Sequence, residues 1–186
     1  MPNIGFWATG AGAAAAGAYE LISTTILGSA TSTVTLNSIP NTYKYLQVRL
    51  TARASDTGSW DFLIMRFNGD TISTYARHDL NGNGSGVSAG FAQNTSGMAI
   101  ARVTANGGPA GAFGAGIIDV FDYADTNKYT TVRALGGQHG SGARDVNLSS
   151  GLWPSTAAVT SITFAPVFSG TILAGSRFSV YGIKGV

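Results

Sequence analysis

The chain contains no cysteine among its 186 residues. That excludes a disulfide framework, a thiolate metal site and a cysteine nucleophile. Charge is also scarce: Asp, Glu, Lys and Arg together make up 11% of the residues, against ~25% in an ordinary soluble domain. Glu20 is the only glutamate and there are three lysines. Surface helices draw on these residue types, so their scarcity argues against a helical protein. Long apolar runs are missing too. Met1–Tyr19 is uncharged but built of Gly and Ala, and the uncharged run Val146–Ser176 is broken by Ser, Thr, Pro154 and Pro166. Neither offers the ~20 predominantly apolar residues of a membrane helix, and Met1–Tyr19 lacks the basic residues that open a secretory signal. No membrane partner is expected.

What is present points to a packed β domain. Hydrophobic residues are 44% of the chain and net charge is +2. That is too apolar and too weakly charged for disorder, and the length suits one all-β domain. The eight arginines, from Arg49 to Arg177, are scattered rather than clustered. A nucleic-acid binder shows a basic face, so no nucleic-acid partner is expected.

Composition changes abruptly at Tyr19. Residues 1–18 read as a Gly/Ala-rich arm with an apolar tip of Ile4, Phe6 and Trp7. Four alanines flanked by glycines are too few to hold a helix alone. Phe6 and Trp7, with Ile4 beside them, either fold back onto their own domain or are inter-subunit contacts, and the second is the expectation carried forward. Residues 19–186 read as a single β-sandwich domain. In Tyr45–Arg53, Leu46, Val48, Leu50 and Ala52 alternate with Gln47, Arg49, Thr51 and Arg53, which is a strand with one buried face. Trp60–Phe67 is largely apolar on both sides, as in a central strand. It ends in Asn68-Gly69, a primed hairpin turn, and Thr71–Asp79 is expected as its antiparallel partner. Gly-dense stretches at Asn81–Gly90, Asn106–Gly116 and Gly136–Gly142 read as loops. About ten short strands joined by Gly, Asn and Asp turns give an all-β antiparallel sandwich, jelly-roll-like, with an extended N-terminal arm.

Nothing in the sequence assembles a catalytic set. His78 and Asp79 invite a Ser-His-Asp reading, but no G-x-S-x-G elbow supports it. The two histidines, His78 and His139, lack the spacing of a zinc motif. Asp119 and Asp122 lie three apart on one strand and point to opposite faces. Partnership with an arginine accounts for Asp119, and turn chemistry for Asp125 with Asn127. The alternating glycines Gly82, Gly84 and Gly86 lack the context of a phosphate loop. No enzyme, metal or cofactor is expected. Tyr43, Tyr45, Trp60, Tyr75, Tyr123, Tyr129, Trp153 and Tyr181 are candidates either for a sugar-binding face or for packing.

Several segments together carry a resemblance: TYKYLQVRLTAR at Thr42–Arg53, MRFNGDT at Met65–Thr71 followed by YARHDL, IIDVFDYADTNKYTTVRALGG at Ile117–Gly137, SGLWPSTAAVTSITF at Ser150–Phe164 and SRFSVYGIKG at Ser176–Gly185. With the FWATGAGA opening, the pattern resembles small virion structural proteins of tailed bacteriophages. The resemblance implies a capsid decoration (cement) protein on the outer capsid surface. Its partners would be the major capsid protein and copies of itself in a homotrimer. The alternative it implies is a tail-fibre or tail-tip protein that binds host surface glycans through the three Gly-rich stretches.

Overall fold

The computed structural model describes residues 17–72, 74–142, 144–168 and 170–185. The candidate contacts Ile4, Phe6 and Trp7 lie outside the described residues. Among the described residues twelve strands follow in order: β1 (Tyr19–Ile26), β2 (Val34–Leu36), β3 (Tyr45–Ala52), β4 (Trp60–Phe67), β5 (Tyr75–Gly82), β6 (Val87–Thr95), β7 (Met98–Thr104), β8 (Gly114–Phe121), β9 (Thr130–His139), β10 (Arg144–Trp153), β11 (Ile162–Pro166) and β12 (Arg177–Ile183). Every pair of neighbouring strands is antiparallel.

An eight-stranded sheet runs β1-β12-β3-β8-β9-β10-β5-β6, and a four-stranded sheet runs β2-β11-β4-β7. Setting aside the hairpins β5–β6 and β9–β10 leaves β1-β12-β3-β8 facing β2-β11-β4-β7. This is the strand order of a jelly roll, two interlocked Greek keys. The two hairpins widen the large sheet across β7, with Val132, Ala134, Trp153 and Tyr75 still in the common core, and together β9, β10, β5 and β6 form a wing. The all-β sandwich read from the sequence is present.

The core fills the space between the sheets. Leu46, Val48 and Leu50 of β3, Ile118 and Val120 of β8, and Phe178 and Val180 of β12 point inward. They meet Leu63, Met65 and Phe67 of β4 and Ile162 and Phe164 of β11. Rings from opposite sheets touch at Phe164 and Phe178, 5.2 Å apart. The alternation in β3 has the expected sense, and β4 is central, between β11 and β7.

Two expectations need correction. The Asn68-Gly69 turn exists, with φ of 53° and 68°, and Asp70 N–H closes it on Phe67 O at 2.8 Å. It does not make a hairpin. Both edges of β4 are already taken by β11 and β7, so the chain crosses to the other sheet and Tyr75–Gly82 pairs with β10 and β6. Asp70 anchors the crossing: Trp153 Nε1 donates to Oδ2 at 2.7 Å and the Tyr75 hydroxyl to its carbonyl at 3.3 Å. The second correction concerns glycine. Gly82, Gly90, Gly114, Gly116, Gly136 and Gly137 lie inside strands rather than loops. Gly114 explains why: a Cβ there would stand 2.6 Å from the Cα of Val103, so the backbones of β7 and β8 can approach only without one.

Candidate functional site

Part of the wing is inside out. In a sandwich strand the apolar residues face the opposite sheet and the polar ones face water. In β10 the inward residues are Asp145, Asn147 and Ser149, all buried. The outward ones include Val146 and Leu148, both about half exposed.

The inward side carries a hydrogen-bonded polar network. The Arg77 guanidinium pairs with Asp79, whose other carboxylate oxygen accepts from Asn81 Nδ2 at 2.8 Å. Asn81 Oδ1 accepts from Asn147 Nδ2 at 2.7 Å, and Asn147 Oδ1 from the Ser149 hydroxyl at 2.8 Å. Burial holds the Arg77 guanidinium below its ordinary pKa. Nearby, Arg102 of β7 binds Asp145 Oδ2 at 2.6 Å, and Gln138 Nε2 donates to the same oxygen at 3.1 Å. The Arg102 guanidinium also lies 3.7 Å from the centroid of the Trp60 ring. Beyond the edge of the small sheet, these groups border a cleft of about 290 Å³ lined by Trp60, Asn81, Asn83, Ser88, Arg102 and Asp145 among others. A neighbouring hollow of about 530 Å³ shares Asn83, Ser85 and Asp145 with it. The arrangement offers amide donors and acceptors with a buried ion pair at one wall. That suits a hydroxyl-rich or hydrated ligand better than an apolar one.

The three Gly-rich stretches do come together, as turns rather than as whole loops. Asn83 closes the β5–β6 turn, its Oδ1 accepting from the N–H groups of Ser85 and Gly86 at 2.9 and 2.8 Å. Gly142 of the β9–β10 turn lines the same cleft. The third stretch reaches the second where Gly108 sits against Gly140. Arg53 pins this third stretch by donating to the carbonyls of Pro109, Ala112 and Gly108 at 2.6, 2.8 and 3.2 Å.

The outward side of the wing is apolar in register. One row across the sheet reads Ala89, Leu80, Leu148, Leu135 and Ile117, each paired with the next. Its four large members are between 46% and 54% exposed. The adjoining row reads Val87, Gly82, Val146, Gly137 and Ala115. The third row carries polarity: Phe91, His78, Ser150, Arg133 and Asp119.

Other sequence candidates resolve individually. His78 faces outward beside Phe91, with ring centroids 6.2 Å apart, whereas Asp79 faces inward on Arg77 and Asn81. The two do not share a face. Asp119 has the expected arginine: Arg133 Nη2 lies 3.1 Å from Oδ2, and Gln47 Nε2 donates to Oδ1 at 2.8 Å. Asp125 accepts from Asn127 N–H at 2.8 Å, the expected turn, and Lys128 lowers its pKa further. Tyr75, Tyr123 and Trp153 are core residues. Burial pushes the Tyr75 phenol up to about 12. Of the aromatic candidates, Trp60 borders the cleft. The sequence reading missed Arg102 and Asp145; the only signal was a lone arginine in the otherwise largely apolar strand Met98–Thr104. Among the described residues, no group of three or more His, Cys, Asp and Glu stands close enough to hold a metal. No protein-family model, curated protein or solved structure matches the chain.

Proposed function

We propose that the protein is a structural component of a tailed-phage particle, and within it a capsid decoration (cement) protein on the outer surface of the shell. The observation that carries the reading is the outward apolar face of the wing. Large aliphatic side chains stand together in water on this sheet, and the largest apolar patch on a domain is often a functional contact. The segments that resemble virion structural proteins supply the kind of assembly. The arm of residues 1–18, with Phe6 and Trp7 near its tip, supplies a second contact, toward the major capsid protein. Repeated over many copies, two weak contacts per subunit become a strong clamp.

A second reading is a tail-fibre or tail-tip protein that binds host surface glycans. The amide-lined cleft between Asn83 and Asp145 favours it. Jelly rolls serve shell proteins and lectins alike, so fold-level analogy does not choose between the two. Quantitative mass spectrometry of purified particles does. A copy number comparable to the major capsid protein supports decoration. A copy number comparable to tail proteins supports the second reading, and absence from the particle overturns both.

A further inference from the structure

We propose that β6, the open edge of the eight-stranded sheet, pairs antiparallel with β6 of a second copy of this chain about a two-fold axis at Ala89, so that two large sheets become one. The inference stands on the edge strand alone and holds whether or not the protein belongs to a particle.

A sheet edge presents unpaired N–H and C=O groups, and folded proteins blunt it with short strands, charges, prolines or bulges. Among the described residues the other three edges are blunted in these ways. β2 is three residues long. β1 carries Glu20, bridged to Lys184, and a bulge between Leu21 and Ser23. β7 carries Arg102, and its end is covered where the Thr104 carbonyl accepts from Ala54 N–H at 2.9 Å. β6 is nine residues long, and Leu80–Ala101 contains no charged residue and no proline. Its irregularity lies between Ala92 and Thr95, where Asn94 has a φ of 54°, and leaves Val87–Phe91 regular.

The hairpin fixes which main-chain groups of β6 are open. Asn83 N–H donates to Gly86 O at 3.1 Å. From that hydrogen-bonded pair the alternation of an antiparallel ladder runs along both strands. Asn81 with Ser88 and Asp79 with Gly90 are hydrogen-bonded pairs, whereas Gly82 with Val87, Leu80 with Ala89 and His78 with Phe91 are not. The N–H and C=O groups of Val87, Ala89 and Phe91 therefore point away from β5.

This spacing favours an identical strand as the partner. Turned about a two-fold axis at Ala89, the edge sets Ala89 on Ala89 of the copy, Val87 on Phe91 and Phe91 on Val87. All of these positions have outward-pointing main-chain groups, so each N–H meets a C=O without a shift of register. The side chains agree. Val87 and Phe91 are 74% and 69% exposed, and each would cover the other as a β-branched and aromatic cross-strand pair. On the inner side Ser88 meets Gly90, so nothing bulky collides. A strand of other sequence could use the same main-chain groups, but the same strand reversed brings its own Val87 and Phe91 in the matching order, as an isologous contact requires. No like charges meet on the axis, because the uncharged segment spans it. The exposed Arg144 belongs to β10, two strands in from the edge.

Main-chain hydrogen bonds rather than area hold such a pair, so it should be reversible in solution. Sedimentation equilibrium on the full chain, from micromolar to millimolar concentration, should show the mass rising from one chain to two. Ala89→Pro removes an outward N–H and leaves β5 its bonds. Ala89→Lys sets like charges against each other on the axis. Either change counts twice about a two-fold axis, so self-association should weaken about ten-fold or more, while both variants keep the wild-type circular dichroism. Ser88→Pro, whose N–H serves β5, should instead lower the melting temperature. The absence of native cysteine makes the axis directly addressable. In Ala89→Cys, with Cα atoms ~5.5 Å apart in a hydrogen-bonded pair, a short bismaleimide should join two chains. In Ile72→Cys, exposed and off this edge, it should not. A monomer at every concentration, an odd multiple of the chain mass at saturation, or a dimer indifferent to both Ala89 substitutions would overturn the proposal. So would dissociation by Trp7→Ala as complete as by Ala89→Lys, which would assign the edge to the N-terminal arm.

Discussion

Asn147 and Leu148 are consecutive in β10 and occupy each other's ordinary places. Asn147 is 1% exposed and faces the interior, while Leu148 is 46% exposed and faces out. The inversion extends to Asp79 and Leu80 in β5 and to Gln138 near the end of β9, while Val132 and Ala134 of β9 and Trp153 of β10 keep the usual sense. A polar interior is stable only when its groups are satisfied, and Asn147 links the side chains on either side of it. An apolar exterior is stable only when something covers it.

Asn147→Ala should destabilise the fold by about 1–3 kcal/mol, since it removes the donor to Asn81 Oδ1 and the acceptor of the Ser149 hydroxyl. Leu148→Ser should cost the diluted chain no more than ~0.5 kcal/mol. Urea denaturation of both at low protein concentration checks the contrast. Equal losses would mean that Leu148, not Asn147, holds the wing.

Arg102 and Asp145 form a pair with side chains 14% and 3% exposed. Asp145→Ala alone leaves a cation against Trp60 with no counter-charge and should cost about 3–5 kcal/mol. Arg102→Met combined with Asp145→Leu should recover most of that loss. Thermal melts of the single and double variants decide it; a double variant as unstable as the single one would assign the pair a role beyond mutual neutralisation.

Asp61 is wholly buried in β4. Burial raises its pKa and the nearby charge of Asp56 adds to the rise, while the N–H groups of Phe168, Phe62 and Val167 oppose it. A carboxyl with a raised folded pKa binds its proton more tightly folded than unfolded. Its favourable contribution is complete below the unfolded value, ~3.9, and is lost as pH rises through the raised folded value. Asp61→Asn should remove this component. The stability difference, variant minus wild type, should therefore grow from about pH 4 upward. Chemical denaturation across pH gives the difference directly, and a difference that shrinks with rising pH would contradict the assignment.

Gly114→Ala should be among the most damaging single-methyl additions. The new Cβ would meet the Cα of Val103 at 2.6 Å and the carbonyl of Arg102 at 3.0 Å. Backbone cannot turn aside as a side chain can, so the cost should reach the upper part of the ~1–3 kcal/mol range for overpacking, or exceed it. A melting temperature within a degree of wild type would show that β7 and β8 separate freely.

The body of the sandwich was legible because its signals are local. Leu46, Val48 and Leu50 alternate with polar residues, and Phe178 and Val180 do the same. Periodicity gives the two faces of a strand but not which face is inside. In Asp145-Val146-Asn147-Leu148-Ser149 the alternation is equally clear, yet Asp145, Asn147 and Ser149 face in while Val146 and Leu148 face out, which only the tertiary structure reveals. Asn68-Gly69 announced a turn correctly, but the destination of the chain depended on β11, nearly a hundred residues later. Gly114, Gly136 and Gly137 resembled loop glycines because their reason for being there, close backbone approach, is a tertiary fact. Arg102 and Asp145 are 43 residues apart, and no spacing joins them.

The central claim is that the outward face of the wing is covered in the assembled state. Hydroxyl-radical footprinting, read by mass spectrometry, compares side-chain reactivity in the diluted chain and in the assembled protein. Leu80, Leu135, Leu148 and Phe91 should become protected together on assembly, while Ile72, 69% exposed and off the wing, keeps its reactivity. Undiminished reactivity of those four residues in the assembled protein would contradict the account.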